Sequence, residues 1–319
     1  MSDQTKTIDD VVAAFLDEID ARMEAVAPAG PQRIVFQRIQ GTANRDNGKV
    51  LEPFQKLEAK PLTLHHCDDL ISVRRQLVTE FPYAVAVIDA LLKPTFRNVS
   101  RGEPWLRFEP TIVVGKPGLG KTRLLRRMCD ELEVGCEVMS AAGVADDMFF
   151  GVSRGWSSGQ PSAVAELVRR AECANPVFII DEIDKTRQNH NGDFLGKLLP
   201  LLERAESNRW RDPFLCGEMD VSAVGWLFTA NDVSKLPAPF RSRVRVLEMT
   251  APEVQHLPAV VRSIIGDMAN EEEIDPRWYP GLDRSEMFAI IQSYERHRSV
   301  RILREQVRRL VDLREIRMQ

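Results

Sequence analysis

Two hydrophobic rhythms divide this chain. Near the N-terminus, Val11, Val12, Phe15, Leu16 and Ile19 recur at helical spacing behind Thr7 and Asp9-Asp10. That spacing predicts a capped amphipathic helix running to about Val26 and ended by Pro28-Ala29-Gly30-Pro31. Helical spacing returns over 70–92, with an interruption at Pro82 and a stop at Pro94. Between them, short β-branched stretches such as Arg33 to Ile39 adjoin the turn-rich Gly41 to Gly48. Residues 1–105 therefore read as an α-rich accessory region.

From Glu109 the rhythm changes. Continuous apolar runs at Thr111–Val114, Val177–Ile180 and Val221–Thr229, with a shorter strand pattern at Cys136–Ser140, alternate with helical patterns at Arg123–Leu132, Ala163–Cys173 and Phe194–Ala205. Strands that are apolar on both faces and separated by helices predict a parallel sheet with right-handed crossovers, covered by helices on each side. From Pro252 the pattern is helical to the end. It closes on an amphipathic helix at Arg296–Met318, whose stripe is Val300, Leu303, Val307 and Leu310. The expected organisation is an accessory region (1–105), an α/β subdomain (106–249) and an all-helical lid (250–319).

Composition narrows the class. The 319 residues are 44% hydrophobic and 28% charged, which is ordinary for a globular protein. No apolar run approaches the ~18 residues needed to cross a bilayer, and Met1–Asp10 is polar and acidic, unlike a secretory signal. A cytoplasmic location without membrane contact is expected. The five cysteines (67, 129, 136, 173, 216) are odd in number and scattered, which argues for reduced thiols. His65-His66-Cys67-Asp68-Asp69 is the one cluster of metal-ligand types, but adjacent residues cannot all turn toward one ion, so no structural metal is expected. A net charge of −4 gives no global attraction to nucleic acid. The eight arginines of the last helix could still form a local basic face, although Glu305, Asp312 and Glu315 favour an ion-paired, solvated side.

The chemistry concentrates in two segments. Gly115-Lys116-Pro117-Gly118-Leu119-Gly120-Lys121-Thr122 lies between the strand Thr111–Val114 and the helix that follows, where a phosphate-binding loop has to sit. Its glycines let successive N–H groups face the β- and γ-phosphates, Lys121 adds positive charge, and the Thr122 hydroxyl is a Mg²⁺ ligand. About sixty residues on, Pro176 to Ile180 reads as a buried strand ending in Asp181-Glu182. Acids at the carboxyl end of a parallel strand suit Mg²⁺ binding through water (Asp181) and activation of the attacking water (Glu182).

With those residues placed, the chain resembles the AAA+ ATPase family from about Glu109 onward, and within it the ATPase module of the Lon protease. The resemblance is carried by Ala141-Ala142-Gly143-Val144, Asn175-Pro176 through Asp184-Lys185, Thr229-Ala230-Asn231, Leu236-Pro237-Ala238-Pro239-Phe240 and Val300-Arg301. It implies an ATP- and Mg²⁺-dependent P-loop NTPase. Asn231 then resembles the sensor-1 residue that orients the lytic water. Arg243 resembles the arginine finger that completes a neighbouring subunit's site, with Arg241 as the competing choice. Arg301 is similar to the sensor-2 arginine of the lid. An arginine acting in trans implies a homo-oligomer, a hexameric ring as in the family.

In Gly155-Trp156-Ser157-Ser158-Gly159-Gln160-Pro161 the resemblance places Trp156 at the pore-loop aromatic that grips polypeptide. Three departures stand out. Lon continues into a serine–lysine protease domain whereas this sequence ends at Gln319, so no peptidase activity of its own is expected. Lys116 replaces the usual proline, and Ser299 the usual glycine before Val300-Arg301. A protein-remodelling ATPase is the leading expectation, with a DNA-acting motor or loader, or a nucleotide-dependent scaffold, as alternatives.

Overall fold

A computed structural model describes residues 30–40, 48–142, 149–186, 193–275, 277 and 281–318. The helix expected over 7–26 lies outside the described residues. The central sheet has five parallel strands, β4 (Thr111–Val114), β5 (Cys136–Ser140), β6 (Val177–Asp181), β9 (Gly225–Ala230) and β10 (Arg245–Glu248), in the order β10-β4-β9-β6-β5. This is the α/β architecture the apolar runs predict. Their period of two explains its two cores: Phe178, Ile180 and Phe228 point to one face, and Val177, Ile179 and Leu227 to the other.

The remaining strands are short. β1 (Gln32–Ile34) pairs antiparallel with β3 (Pro61–Thr63), and β2 (Phe36–Arg38) adds to a hairpin of β7 (Trp210–Asp212) and β8 (Gly217–Met219). The helices in chain order are α1 (Gly48–Gln55), α2 (Leu70–Glu80), α3 (Val85–Ser100), α4 (Lys121–Glu131), α5 (Ala163–Ala171), α6 (Phe194–Leu202), α7 (Arg204–Ser207), α8 (Ala238–Arg241), α9 (Leu257–Glu271), α10 (Arg284–His297) and α11 (Val300–Met318). On one face of the sheet, α2 and α3 share a core with α4: Leu77, Phe81, Ile88 and Leu92 pack with Leu124, Met128, and Val177 and Ile179 of β6. The lid, α9 to α11, has its own core of Leu257, Ile264, Met268, Leu303 and Val307. Among the described residues no helix is long and apolar enough to cross a membrane.

Several local expectations are corrected. α3 does not stop at Pro94 but runs through it to Ser100. A proline inside a helix leaves the carbonyl four residues earlier without its donor, and here Arg245 Nη1 donates to that carbonyl, Ala90 O, at 3.0 Å. The closing helix is not continuous from Arg296, because Arg298 adopts a left-handed φ of 45° and caps α10, its N–H reaching Tyr294 O at 2.7 Å, before α11 begins at Val300. The apolar run 221–229 forms a strand only from Gly225, its first residues turning onto the sheet after a hairpin that periodicity did not reveal. His65 is tied into the fold, its Nε2 lying 2.9 Å from Leu132 O at the end of α4.

Candidate active site

The carboxyl ends of β4, β6 and β9 converge on one cleft. Beyond β4 the loop 115–120 turns through two left-handed glycines, Gly118 (φ 79°) and Gly120 (φ 87°), a conformation costly for any residue with a Cβ. Gly120 is the N-cap of α4 and offers no side-chain acceptor, so the first-turn N–H groups of α4 keep the orientation that suits an anion. Gly115 has a separate reason to lack a side chain: a Cβ there would lie 2.4 Å from Met249 O.

Lys121 begins α4 and is 8% exposed. Its ammonium donates to Gly115 O (2.8 Å), Lys116 O (3.1 Å) and Asn231 Oδ1 (3.0 Å). Burial holds its pKa below the usual lysine range, against the opposing pull of Asp181, Asp184 and Glu182. Thr122 Oγ1 donates to Asp181 Oδ1 at 2.5 Å, and the buried Thr229 hydroxyl donates to the same oxygen. That pairing sets a hydroxyl and a carboxylate side by side, the donor set a hard divalent cation takes.

Glu182 has φ 53°, its N–H donates to Thr229 Oγ1 at 3.0 Å, and its carboxylate accepts from Lys185 Nζ at 2.6 Å. The N–H groups of Asn231 and Asp232 both donate to Asp184 Oδ2 at 3.2 Å. Lys121, Thr122, Asp181, Glu182 and Asn231, predicted from segments up to 110 residues apart, thus share one wall.

The opposite wall comes from elsewhere. A cavity of about 560 Å³ is lined by the loop and the acids, by Glu80 and Tyr83 at the α2–α3 junction, and by Val260, Ile264, Asp267, Val300, Arg301 and Arg304 of the lid. Lid and loop touch: Arg301 N–H donates to Gly118 O at 3.1 Å, and a Cβ on Gly118 would meet Ser299 Oγ at 2.7 Å. The serine in place of the usual glycine is therefore packed directly on the loop. Lys116 sits exposed at the loop's rim.

Sequence reasoning missed several wall residues. The Tyr83 hydroxyl donates to Leu119 O at 2.9 Å, and burial raises its pKa well above the usual phenol range. Arg123 holds Asp267 of the lid through Nε–Oδ2 (2.5 Å) and Nη2–Oδ1 (2.9 Å), bonds Ser263 at 2.7 Å, and lies 4.7 Å over the Phe81 ring. Arg123 could have been suspected as the neighbour of Thr122. Tyr83 and Asp267 carried no local signal.

Two predicted residues lie off this wall. Arg243 follows α8, pairs with Glu203 and donates through Nη1 to Pro239 O at 3.1 Å, while Arg241 is exposed. Trp156 tips a loop closed by the Val152–Gln160 bridge and is 71% exposed. Arg154 of that loop lies over Phe214 of the β7–β8 turn.

Strand order, loop and paired acids together define a P-loop nucleotide site, and residues 111–250 match the ATPase family associated with various cellular activities (AAA). Residues 111–250, less than half of the chain, therefore form an AAA-family domain. Within that class the chain is similar to Lon proteases over its ATPase region: Lon protease 1 of Herpetosiphon aurantiacus (29% identical over 196 residues, 61% of this chain and 24% of that protein) and Lon protease of Campylobacter jejuni (30% over 200 residues, 61% and 25%). It also matches the peroxisomal Lon protease homolog 2 of Caenorhabditis elegans (26% over 194 residues, 60% and 25%). The chain spans about a quarter of the length of these relatives.

Proposed function

We propose that this protein hydrolyses Mg²⁺-ATP and uses the cycle to remodel a protein client, as a homo-oligomeric ring of hexameric type. The observation that carries the ATPase part is the convergence of Lys121, Thr122, Asp181, Glu182 and Asn231 on a cavity closed by the lid. The reading assigns residues 106–249 to the nucleotide-binding part, 250–319 to the lid and 1–105 to an accessory part.

The residues present fit the cofactor. Left-handed glycines and the free first turn of α4 cradle phosphate oxygens, and Lys121, already desolvated, exchanges its carbonyl partners for them. Thr122 and Asp181, the latter through water, would hold Mg²⁺, which neutralises charge on the β- and γ-phosphates. Glu182 takes the proton of the attacking water; Lys185 Nζ engages one of its two carboxylate oxygens. Asn231 moves its carbonyl from Lys121 to that water, and Arg301 reads the phosphates from the lid. Arg243, off the cavity wall, acts in trans on a neighbour's γ-phosphate.

A protein client is favoured by Trp156, a rigid aromatic on a closed, projecting loop. The arginines of α11 do not favour a nucleic-acid face, since Arg304 and Arg308 pair with Glu271, Arg309 with Glu305 and Arg314 with Glu286.

Glu182→Gln is expected to bind ATP with near-normal affinity and to lose turnover by about 10²-fold or more; normal turnover removes Glu182 as base. Unfolded protein should stimulate the wild-type rate and not that of Trp156→Ala. Stimulation by DNA alone replaces the client reading with a nucleic-acid motor.

A further inference from the structure

Beyond the last backbone rung of the β6–β9 ladder, Ile180 opposite Phe228, the two strand ends stay joined through side chains that reach across in opposite directions. From β9, the Thr229 hydroxyl accepts the Glu182 N–H at 3.0 Å and donates to Asp181. From the turn after β6, Asp184 Oδ2 accepts the N–H groups of Asn231 and Asp232, each at 3.2 Å. We infer that Thr229 and Asp184 form a reciprocal clasp that positions Glu182 and Asn231 relative to each other for hydrolysis. The inference rests on the proposed reading of Glu182 as base and Asn231 as the residue that orients the water.

Both ends need such a device. Glu182 departs from the strand at φ 53°, a left-handed conformation that a β-carbon disfavours and that surrounding structure must impose. Thr229, fully buried, supplies the acceptor for the Glu182 N–H, which this turn takes out of the ladder. Asn231 lies just past the end of β9, so its N–H and that of Asp232 have no strand partner, and one carboxylate oxygen receives both. The clasp thereby fixes where the Asn231 side chain starts, and its carbonyl reaches Lys121 at 3.0 Å. Neither clasp residue needs to touch the reacting atoms. They are positioning residues, and their effect belongs to the chemical step.

The test uses Thr229→Val, which keeps shape but removes the hydroxyl, Thr229→Ser, which restores it, and Asp184→Ala, each made in the wild-type chain and in Glu182→Gln. Misplacing a catalytic group by a fraction of an ångström to an ångström lowers kcat by about 10- to 100-fold, so that loss is expected for Thr229→Val and for Asp184→Ala. Affinity for a non-hydrolysable ATP analogue, measured without Mg²⁺ because Thr229 also bonds the proposed Mg²⁺ carboxylate Asp181, should stay within about threefold, since phosphate binding draws on the loop and α4. Thr229→Ser should recover most of the rate. In the Glu182→Gln background neither substitution should lower the residual rate further, since groups acting as one unit are non-additive.

A wild-type kcat in Thr229→Val and Asp184→Ala, with Glu182→Gln inactive, overturns the clasp and leaves the base assignment standing. Normal turnover by Glu182→Gln overturns the base assignment itself. A parallel loss of analogue binding, kcat and thermal stability reduces both residues to packing and overturns the positioning role. If Thr229→Val does not fold, Asp184→Ala decides together with Asp184→Asn, which removes the charge felt by Lys121 but keeps an acceptor oxygen for the Asn231 and Asp232 N–H groups, and should therefore retain most of the rate.

Discussion

Removing Asp267 should loosen the lid by an amount the geometry sets in advance. Arg123, beside Thr122, and Asp267, on α9, make two charge-assisted hydrogen bonds at 2.5 and 2.9 Å. Fully buried bonds of that kind are worth about 1.5–3 kcal/mol each. These side chains retain 26% and 23% of their exposure, and Glu80 remains 3.5 Å from Arg123 as a second counter-charge. The expected cost of Asp267→Ala is therefore about half the buried sum, ~2 kcal/mol. Arg123→Ala removes in addition the bond to Ser263 and the contact over Phe81, for ~3 kcal/mol in total.

The cost falls on lid docking, since the lid core is separate from the cores of the sheet and Arg123 joins them. Urea unfolding of the two single variants and the double variant measures it as a double-mutant cycle, with an expected coupling of about 1–2 kcal/mol. Analogue affinity should fall in the same order, with a ceiling of about 30-fold for Asp267→Ala and 100-fold for Arg123→Ala at 1.4 kcal/mol per decade. Coupling below about 0.5 kcal/mol, the range of independent sites, would refute the idea that this pair carries the docking.

Two further outcomes follow from local geometry. Gly118→Ala should cost about 1–2 kcal/mol for the left-handed φ alone and should also push on Ser299 and Arg301, which lie 2.7 and 3.2 Å from the new Cβ; Ser299→Gly should recover part of the lost analogue affinity, and no recovery would place the whole cost in the backbone. Tyr294, in the lid, donates to Pro252 O at 2.9 Å, and burial pushes its pKa up to about 12. A phenol whose folded pKa is raised keeps its contribution in full below its unfolded value near 10. That contribution is lost as pH climbs through the folded value, so thermal melts between pH 9 and 12 should fall more steeply for wild type than for Tyr294→Phe.

The chain's local grammar made much of this molecule legible. Residues 111–131 form one strand–turn–helix unit, so the positions of two glycines, a lysine and a threonine specify the phosphate cradle without reference to the rest of the fold. Val177–Ile180 is apolar on both faces because helices cover both, which made its strand and the placing of Asp181 and Glu182 at its carboxyl end readable in the same way. Short strands were harder. Arg245–Glu248 alternates between half-buried and exposed positions at the sheet edge, and the three-residue strands of the β7–β8 hairpin are too brief for periodicity.

Tertiary structure alone decided what meets across long separations. Pro94 reads as a helix stop until Arg245, 155 residues from Ala90, supplies the missing donor. Nothing near Tyr83, Asp184 or Thr229 announces that the first lines the cavity and the last two link strand ends, and the place of Arg123 beside Thr122 does not reveal its grip on the lid. Hydrophobic period and turn chemistry encode interactions within a few residues. Strand order and lid docking bring together groups about 50 to 150 residues apart, and those partners exist only once the register is set.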